Sequence, residues 1–219
     1  MPIASFTLAL FLPISASVVR VVADREQGGV SVGSGVTVAP SVVATSCHVV
    51  RDAVGVRIGG RDGTFAADAE HADLRRDVCY LRVPSWNGKP VVLASANDVE
   101  PGAPVAALGF TGGVAIRPRF GEILALHPFE EGRVIEATAP FNSGSSGGGL
   151  FDAEGALIGL LTFRLRNSVV SYYSIPVDWV RQSLPHESQW TAIHPVREMT
   201  PFWQDEPEDL PPFLRVKRE

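Results

Sequence analysis

The sequence predicts an all-β protein built from short antiparallel strands. Brief runs of Val, Ile, Leu and Phe recur along the chain, and Gly, Pro, Asn and Asp separate them at regular intervals, which is typical of a sandwich or barrel. Long amphipathic helical patterns are absent, and only residues 176–184 predict one short helix. With 219 residues and 45% hydrophobic content, the chain can form one compact unit or two small ones.

The beginning of the chain predicts a secretory signal peptide over residues 1–16. Residues 1–19 carry no charged side chain, residues 6–12 are apolar, and small residues follow them, as a signal peptidase requires. The usual basic residue before the apolar run is missing, so an apolar strand or a retained membrane anchor is the alternative; Pro13 disfavours a spanning helix. We therefore expect a secreted or periplasmic protein whose mature chain does not span a membrane.

Two strand-like segments carry residues suited to proton transfer. His48 lies inside the β-prone apolar run of residues 43–50, and Asp77 opens the alternating run of residues 76–83. An imidazole can act as a general base, and a carboxylate can fix its tautomer. These two segments are candidates for one catalytic site.

A third segment, residues 142–150, places serines among glycines directly ahead of an apolar strand. A serine becomes a nucleophile when a base removes its proton and hydrogen-bond donors hold the oxyanion that forms. Glycine backbone can turn its N–H groups into one small cavity. A flexible Gly/Ser linker is the alternative interpretation of this run.

The order His48, Asp77, Ser146, in these local contexts, resembles the chymotrypsin-fold (trypsin-like) serine proteases, and the bacterial HtrA/Deg-like branch is nearest. Further similar segments extend the resemblance over roughly residues 17–184 in the family's order: residues 33–40, 105–110, 121–124 and 171–177. It implies two six-stranded antiparallel β-barrels, over about residues 17–96 and 103–176. A short helix over about 176–184 would follow, and the active site would lie in the cleft between the barrels.

The resemblance also implies the role of each catalytic residue. In the family pattern Gly-x-Ser-Gly-Gly the nucleophile directly precedes the paired glycines, which selects Ser146 rather than Ser143 or Ser145. His48 would be the base, Asp77 its partner, and the backbone N–H groups of Gly144 and Ser146 the oxyanion hole, with no metal or organic cofactor. Ser145 replaces the usual Asn or Asp, so activation by a new N-terminus is not expected.

A substrate pocket follows from the same resemblance, for polypeptide substrates. No acidic residue stands at Pro140, so an apolar or small side chain is expected there rather than Lys or Arg. The strand of residues 162–164 could pair with extended substrate backbone by β-augmentation. The residues predicted to line the pocket are Pro140, Thr162, Phe163, Arg164, Ser171 and Tyr173.

The chain has two cysteines, and each lies beside a candidate catalytic residue. In the resembled fold Cys47 and Cys79 would be close enough for a disulfide, and two buried free thiols are the equal alternative. A zinc site that adds His48 and His71 lacks any CxxC or HxxxH spacing. A Cys47 nucleophile is also disfavoured, because adjacent strand residues point to opposite faces.

The last segment, residues 185–219, is rich in proline and acid, and predicts a disordered tail. The alternative is that its aromatic residues pack onto the barrels or a partner: Trp190, Phe202, Trp203 and Phe213. Many Deg-like proteases carry a PDZ domain after the protease domain, and these residues are too few for one.

Charge and motif order narrow the function. A formal net charge of −5 and a pI near 5.6 argue against a nucleic-acid partner, since phosphate recognition needs clustered Lys and Arg. The sequence predicts a serine endopeptidase that acylates Ser146. The main alternative is an inactive or latent protease-like binding module; an esterase or lipase would show the order Ser, Asp, His. The sequence makes no prediction of oligomeric state.

Overall fold

The structure is a computed structural model that describes residues 8–60, 63–166, 170–195, 198 and 200–215. These residues form fifteen β-strands, three short α-helices and two 3₁₀ turns, Glu187–Gln189 and Phe202–Gln204. The helices are α1 (Leu8–Ser17), α2 (Cys47–Val50) and α3 (Val177–Gln182). The strands are β1 (Val18–Arg25), β2 (Val30–Ala39), β3 (Val42–Ser46), β4 (Ala53–Gly60), β5 (Gly63–Ala66), β6 (Ala69–Asp73), β7 (Val78–Arg82), β8 (Pro104–Leu108), β9 (Phe110–Thr111), β10 (Ala115–Ile116), β11 (Arg119–Phe129), β12 (Gly132–Ala137), β13 (Gly149–Phe151), β14 (Leu157–Arg166) and β15 (Val170–Pro176).

The second half of the chain forms a closed six-stranded barrel in the order β11-β12-β15-β14-β13-β8. Every neighbouring pair is antiparallel, as predicted. Apolar side chains of its strands form one buried cluster, among them the fully buried Ile135, Leu150 and Ile158. The predicted all-β class and this six-stranded barrel are confirmed.

The first half differs from the predicted second barrel, because it is an open seven-stranded sheet in the order β5-β4-β1-β2-β3-β7-β6. Its two edge strands, β5 and β6, are consecutive in the chain. Between them, the N–H of Ala67 donates to Val56 of β4, and the N–H of Asp68 donates to Arg82 of β7. The sheet therefore curls until its edges meet at two residues, but no strand ladder closes it, so a prediction of six closed strands was wrong here.

The two halves share a core that lies beneath the site. Val36 and Tyr80 of the first sheet pack in one cluster with Leu108 and Leu160 of the barrel. The phenol of Tyr80 donates a 2.6 Å hydrogen bond to the carbonyl of Val180 in α3. This continuous apolar interface fixes the first sheet against the barrel, and therefore the histidine segment against the serine loop.

The described residues after α3 include segments that pack against the rest of the fold, in contrast to the predicted disordered tail. Glu70 of β6 and Thr191 exchange two backbone hydrogen bonds of 2.8 and 2.9 Å. Phe202 is fully buried, and the ring of Phe213 stacks on His127 with 4.5 Å between centroids. Burial of scattered aromatic rings offsets the unfavourable composition of this segment. We call residues 200–215 the C-terminal arm.

The N-terminal helix α1 runs directly into β1. Ile14 is buried in the shared core, and the hydroxyl of Ser17 donates to the carbonyl of Lys89 at 2.6 Å. Across the described parts of the chain, no helix has the length and apolar character needed to cross a bilayer.

A disulfide joins Cys47 and Cys79, whose Cα atoms lie 4.8 Å apart. Thr45 of β3 pairs with Cys79 of β7, so the register of the two strands brings the cysteines together. The structure thus shows the disulfide rather than the two free thiols, and the bridge crosses between the segments that carry His48 and Asp77.

Removal of this disulfide is expected to destabilise the fold. The cysteines are 32 residues apart, and closing a loop of that length in the unfolded chain is worth about 3–4 kcal/mol in the chain-entropy model. The Cys47→Ala/Cys79→Ala variant should have a free energy of unfolding lower by that amount, and so a lower denaturation midpoint. Reductant should lower the midpoint of the wild type and leave that of the variant unchanged. Equal midpoints for reduced and oxidised wild type would contradict the bridge.

The buried anchor of the C-terminal arm gives a second prediction. Phe202→Ala should lower the free energy of unfolding by about 3–5 kcal/mol, because the truncation leaves a cavity among packed rings. Glu208→Ala, at an exposed position of the same arm, should change it by less than about 0.5 kcal/mol. Chemical denaturation measures both, and equal small effects would indicate that the arm is detached.

Candidate active site

His48 and Asp77 form a two-point contact. The ring Nδ1 of His48 lies 2.7 Å from Oδ2 of Asp77, and the backbone N–H of His48 donates to Oδ1 at 2.9 Å. His48 is in the single turn of α2, directly after β3, rather than inside the predicted strand. The turn lets the side chain and the backbone of one residue bind both oxygens of one carboxylate, which fixes the orientation of the imidazole.

Asp77 is held in a tight turn between β6 and β7. Its side chain is fully buried, and its backbone has a φ of 59°, in the left-handed region that few residues other than Gly, Asn and Asp adopt. The carbonyl of Asp77 accepts a 3.3 Å hydrogen bond from the N–H of Cys47. Together with the disulfide two residues later, this contact ties the aspartate turn to the start of α2.

The environment of His48 sets its protonation. Burial by itself lowers the pKa of His48, but the charge of Asp77 and its hydrogen bond to the ring outweigh that effect and raise the pKa above its usual value. About a quarter of the side chain, 27%, is exposed, so the ring can still meet a substrate. The pair is therefore built to stabilise an imidazolium.

The residue before Asp77 ties the aspartate turn to the barrel. The guanidinium of Arg76 binds Glu130 at 2.8 Å and Glu131 at 2.5 Å, both in the turn between β11 and β12. It also lies 5.2 Å from the ring centroid of Trp179 in α3. Because Arg76 crosses from the first sheet to the barrel, the aspartate turn cannot shift independently of the second half.

The serine loop is bound to strand β2 of the first sheet. The N–H of Ser34 donates to the carbonyl of Ser146 at 2.8 Å, and the Ser34 hydroxyl donates to the carbonyl of Gly144 at 2.7 Å. Gly147 has a φ of 80°, and a Cβ there would lie 2.3 Å from the carbonyl oxygen of Ser34. A glycine at position 147 is therefore required for the loop to approach the histidine-bearing sheet this closely.

Of the two adjacent serines Ser145 and Ser146, Ser146 is the more accessible, and Ser143, farther from the paired glycines, is exposed. Ser145 is 2% exposed, and its hydroxyl lies 3.3 Å from that of Thr111, so it faces the interior. Ser146 is half-buried, and its hydroxyl donates a long, 3.5 Å hydrogen bond to the carbonyl of Thr162. Within the described residues that hydroxyl has no hydrogen bond to His48.

Two peptide groups of the loop have their carbonyls turned away from it. The carbonyl of Ser143 accepts from the N–H of Gly112 at 2.8 Å, and the carbonyl of Ser145 accepts from the N–H of Gly148 at 2.9 Å. In a trans peptide the N–H points opposite to the carbonyl. The N–H groups of Gly144 and Ser146 therefore point the other way, and neither has a hydrogen-bond acceptor among the residues that the structure describes.

The predicted pocket residues do not form one open cavity. Phe163 and Tyr173 are buried and stack face to face at 4.9 Å, and Thr162 is buried with its hydroxyl donating to Leu160. Burial, together with the nearby charge of Glu136, raises the pKa of Tyr173 to about 12. Three predicted residues remain accessible: Pro140 is exposed, whereas Arg164 and Ser171 are half-buried.

The side chain of Arg164 makes a hydrogen bond close to its own strand. Its guanidinium donates to the side-chain oxygen of Asn142 at 2.7 Å, which ties β14 to the start of the serine loop. On the same side, the rings of Phe141 and Tyr172 lie 5.3 Å apart. This corner therefore combines an apolar ring pair with one hydrogen-bonded cation.

The structure adds one residue that the sequence prediction did not assign to the site. The ring centroid of Trp203 lies 5.7 Å from that of His48, edge to face, and 5.0 Å from that of Phe163, nearly parallel. The only sequence signal was an isolated aromatic pair within a Pro- and acid-rich segment. Packing between distant segments determines this position, and local pattern does not reveal it.

Two other features lie apart from this chemistry. A cavity of about 490 Å³ is lined by residues of α1, β1, β4, β5 and β9–β10, including Arg20, Thr64 and Ile116, but by none of the three predicted catalytic residues. No group of three His, Cys, Asp or Glu side chains in the described ranges is arranged to hold a metal ion.

Residues 33–160 match the family described as trypsin-like peptidase domain. The chain belongs to this family. Similar curated proteins include anti-sigma-I factor RsgI9 of Acetivibrio thermocellus, 29% identical over 79% of this chain and 26% of its own length. Serine protease HTRA1A of Danio rerio is 28% identical over 75% of this chain and 36% of its own length. The trypsin-like peptidase chain thus spans about a quarter to a third of these relatives.

Solved structures agree with this assignment. The active form of the Rv3671c protease from M. tuberculosis superposes with a TM-score of 0.76, at 25% identity, over 90% of this chain and 92% of that chain. An HtrA-type protease, AlgW with a tripeptide, gives a TM-score of 0.74 at 25% identity over 82% of this chain and 64% of its own. The resemblance to chymotrypsin-fold, HtrA-like serine proteases that the sequence predicts is confirmed.

The contact between His48 and Asp77 gives a titration prediction for this trypsin-like peptidase. In wild type the imidazole of His48 should titrate above about 6.5, its unperturbed value. In Asp77→Asn only burial remains to shift the pKa, so the midpoint should fall below the wild-type value. Imidazole NMR titration measures both, and Glu136→Gln, which alters the partner of His127, is the matched control and should leave His48 unchanged. An identical His48 midpoint in Asp77→Asn would contradict the assignment.

Proposed function

We propose that this chain is a serine endopeptidase that cleaves peptide bonds through an acyl-enzyme on Ser146. The observation that carries the proposal is the buried two-point contact of Asp77 with His48, next to a serine loop bound to the same sheet. Membership of the trypsin-like peptidase family supports it. A nucleophile, a base and an orienting carboxylate are the three groups that acyl transfer to serine requires.

In the first step His48 takes the hydroxyl proton of Ser146 as the oxygen attacks the scissile carbonyl. The imidazolium then donates that proton to the leaving amine, which departs as the C–N bond breaks. A water molecule repeats the sequence on the acyl-enzyme and releases the acid. Asp77 stays ionised throughout and stabilises the imidazolium that forms in each half.

The weak bond from Ser146 to Thr162 is compatible with this cycle. At 3.5 Å it is a long hydrogen bond, and a χ1 rotation that breaks it costs little. Catalytic hydrogen bonds are often long or misaligned before substrate binds and shorten in the complex. We propose that substrate binding turns the Ser146 hydroxyl to Nε2 of His48.

The oxyanion hole is proposed to consist of the N–H groups of Gly144 and Ser146. Their peptide groups are held by the opposite carbonyls, as described above, so both donors are fixed before substrate arrives. Fixed donors that meet developing negative charge lower the barrier, and loss of one costs on the order of 3 kcal/mol. A latent binding module would instead have one of these carbonyls turned into the hole.

The acyl half of the substrate is proposed to pair with β14. Strand β13 pairs with β14 only as far as Leu160, and beyond Leu161 no described strand occupies that edge. The free edge begins at Thr162, whose carbonyl contacts the nucleophile. An extended peptide bound there by main-chain hydrogen bonds stays in place after the leaving amine departs, as hydrolysis of the acyl-enzyme requires.

For location we propose export to an oxidising compartment. The Cys47–Cys79 disulfide supports this, since such bonds persist mainly outside the reducing cytosol. The uncharged, apolar start of the sequence is in line with a signal peptide. N-terminal sequencing of exported material would locate the cut, and an N-terminus at Met1 would contradict removal of residues 1–16.

A fluorophosphonate probe tests the proposed nucleophile. The serine oxygen displaces fluoride from phosphorus, so wild type should be labelled and should also digest an unfolded protein. Ser146→Ala should lose labelling and lower kcat for peptide hydrolysis on the order of a million-fold. Ser145→Ala, one residue away and facing the interior, is the matched control and should still be labelled.

Two results would oppose the proposal. Labelling that persists in Ser146→Ala would show a different nucleophile. Neither labelling nor digestion by folded wild type would favour the inactive or latent binding module.

A further inference from the structure

Trp203 of the C-terminal arm is in contact with the catalytic histidine and with the proposed substrate strand. Its ring meets His48 edge to face at 5.7 Å and lies nearly parallel to Phe163 at 5.0 Å, with 16° between the planes. Phe163 stacks in turn on Tyr173 at 4.9 Å. The three parallel rings form a continuous apolar wall that ends at the imidazole.

The neighbour of Trp203 anchors this wall in the core. Phe202 is fully buried against Phe129 at 4.9 Å and Trp179 at 5.7 Å between ring centroids. Its N–H donates to the carbonyl of Arg75, and Asp205 binds the Arg75 guanidinium at 2.6 Å. Lifting the segment that carries Trp203 away from His48 would therefore pull a fully buried ring out of the core, so the segment is part of the cleft rather than a displaceable cover.

The position of the wall determines which part of a substrate it meets. The scissile carbonyl must lie at the Ser146 oxygen, which is 3.5 Å from the carbonyl of Thr162, the start of the free edge of β14. The next residue along that edge is Phe163, whose ring Trp203 covers. The substrate residue before the scissile one must therefore place its side chain between β14 and His48. The indole of Trp203 already fills space there.

We propose that Trp203 is a specificity-determining residue, which restricts the substrate residue before the scissile one to small side chains. This inference rests on the proposed peptidase function. It makes the C-terminal arm part of the active site, although the arm lies beyond the residues that match the family.

The test compares two peptides that differ only in Ala or Phe immediately before the scissile residue. Wild type should prefer the Ala peptide. Trp203→Ala should reduce that preference in kcat/KM at least about tenfold, because the vacated space accepts the larger ring, whose burial is favourable. Labelling of Ser146 by a small fluorophosphonate should persist, since that probe needs no such subsite.

Two further variants control for folding. Trp203→Phe retains an aromatic ring and removes an indole N–H that has no partner among the described residues, so it should fold and recover most of the wild-type preference. Gln204→Ala changes an exposed neighbour in the same arm and should behave as wild type. The imidazole NMR signals of His48 should shift most in Trp203→Ala, because that variant removes the adjacent ring, and should stay unchanged in Gln204→Ala.

Each remaining outcome contradicts a specific statement. An unchanged Ala-to-Phe preference in a labelled Trp203→Ala variant would overturn the inference and leave the proposed function intact. An equal rise in kcat/KM for both peptides would also overturn it, and would indicate an inhibitory arm instead. Failure of wild type itself to be labelled would overturn the proposed function and this inference with it.

Discussion

The site depends on one buried carboxylate that is bound at both oxygens. An ionised group is costly to bury unless hydrogen bonds replace its water, and His48 supplies two of them to Asp77, from its backbone and from its ring. The other constraints serve this contact. The disulfide fixes the two chain segments, and the left-handed turn at Asp77 aims the carboxylate. Arg76 connects that turn to the barrel, so the pair and the serine loop keep one geometry.

The serine loop adds a constraint of distance between the two halves. Gly147 lies so close to Ser34 that any larger residue would collide with backbone, and two hydrogen bonds from Ser34 hold the loop in that position. Backbone against backbone is a stiff contact, because neither side has a rotamer to change. The serine loop therefore precedes strand β13 of the barrel in the sequence, and its backbone is also bound to β2 of the first sheet.

Sequence reasoning succeeded where local pattern carries the information. Two local features carried the prediction: the glycine run around Ser146, and the strand-like surroundings of His48 and Asp77. Together they predicted the family and, through it, the six-stranded barrel of the second half. The open edge of the first sheet was not predicted, because strand composition does not show whether a sheet closes. For a related reason the sequence favoured a disordered tail and gave packing of its aromatic residues only as the alternative: residues 200–215 look unfavourable by composition, and the three-dimensional neighbours of Phe202 are not visible in the sequence.

The position of the C-terminal arm in the sequence also determines the order in which parts of the site can form during synthesis. Synthesis runs from the N-terminus, and the barrel strands that carry the site end at Pro176, well before Phe202 and Trp203 are added. A nascent chain can thus assemble both halves while the ring beside His48 is still missing. The surroundings of His48 are therefore completed later than the two halves that carry it and the serine loop, once Phe202 and Trp203 have also left the ribosome.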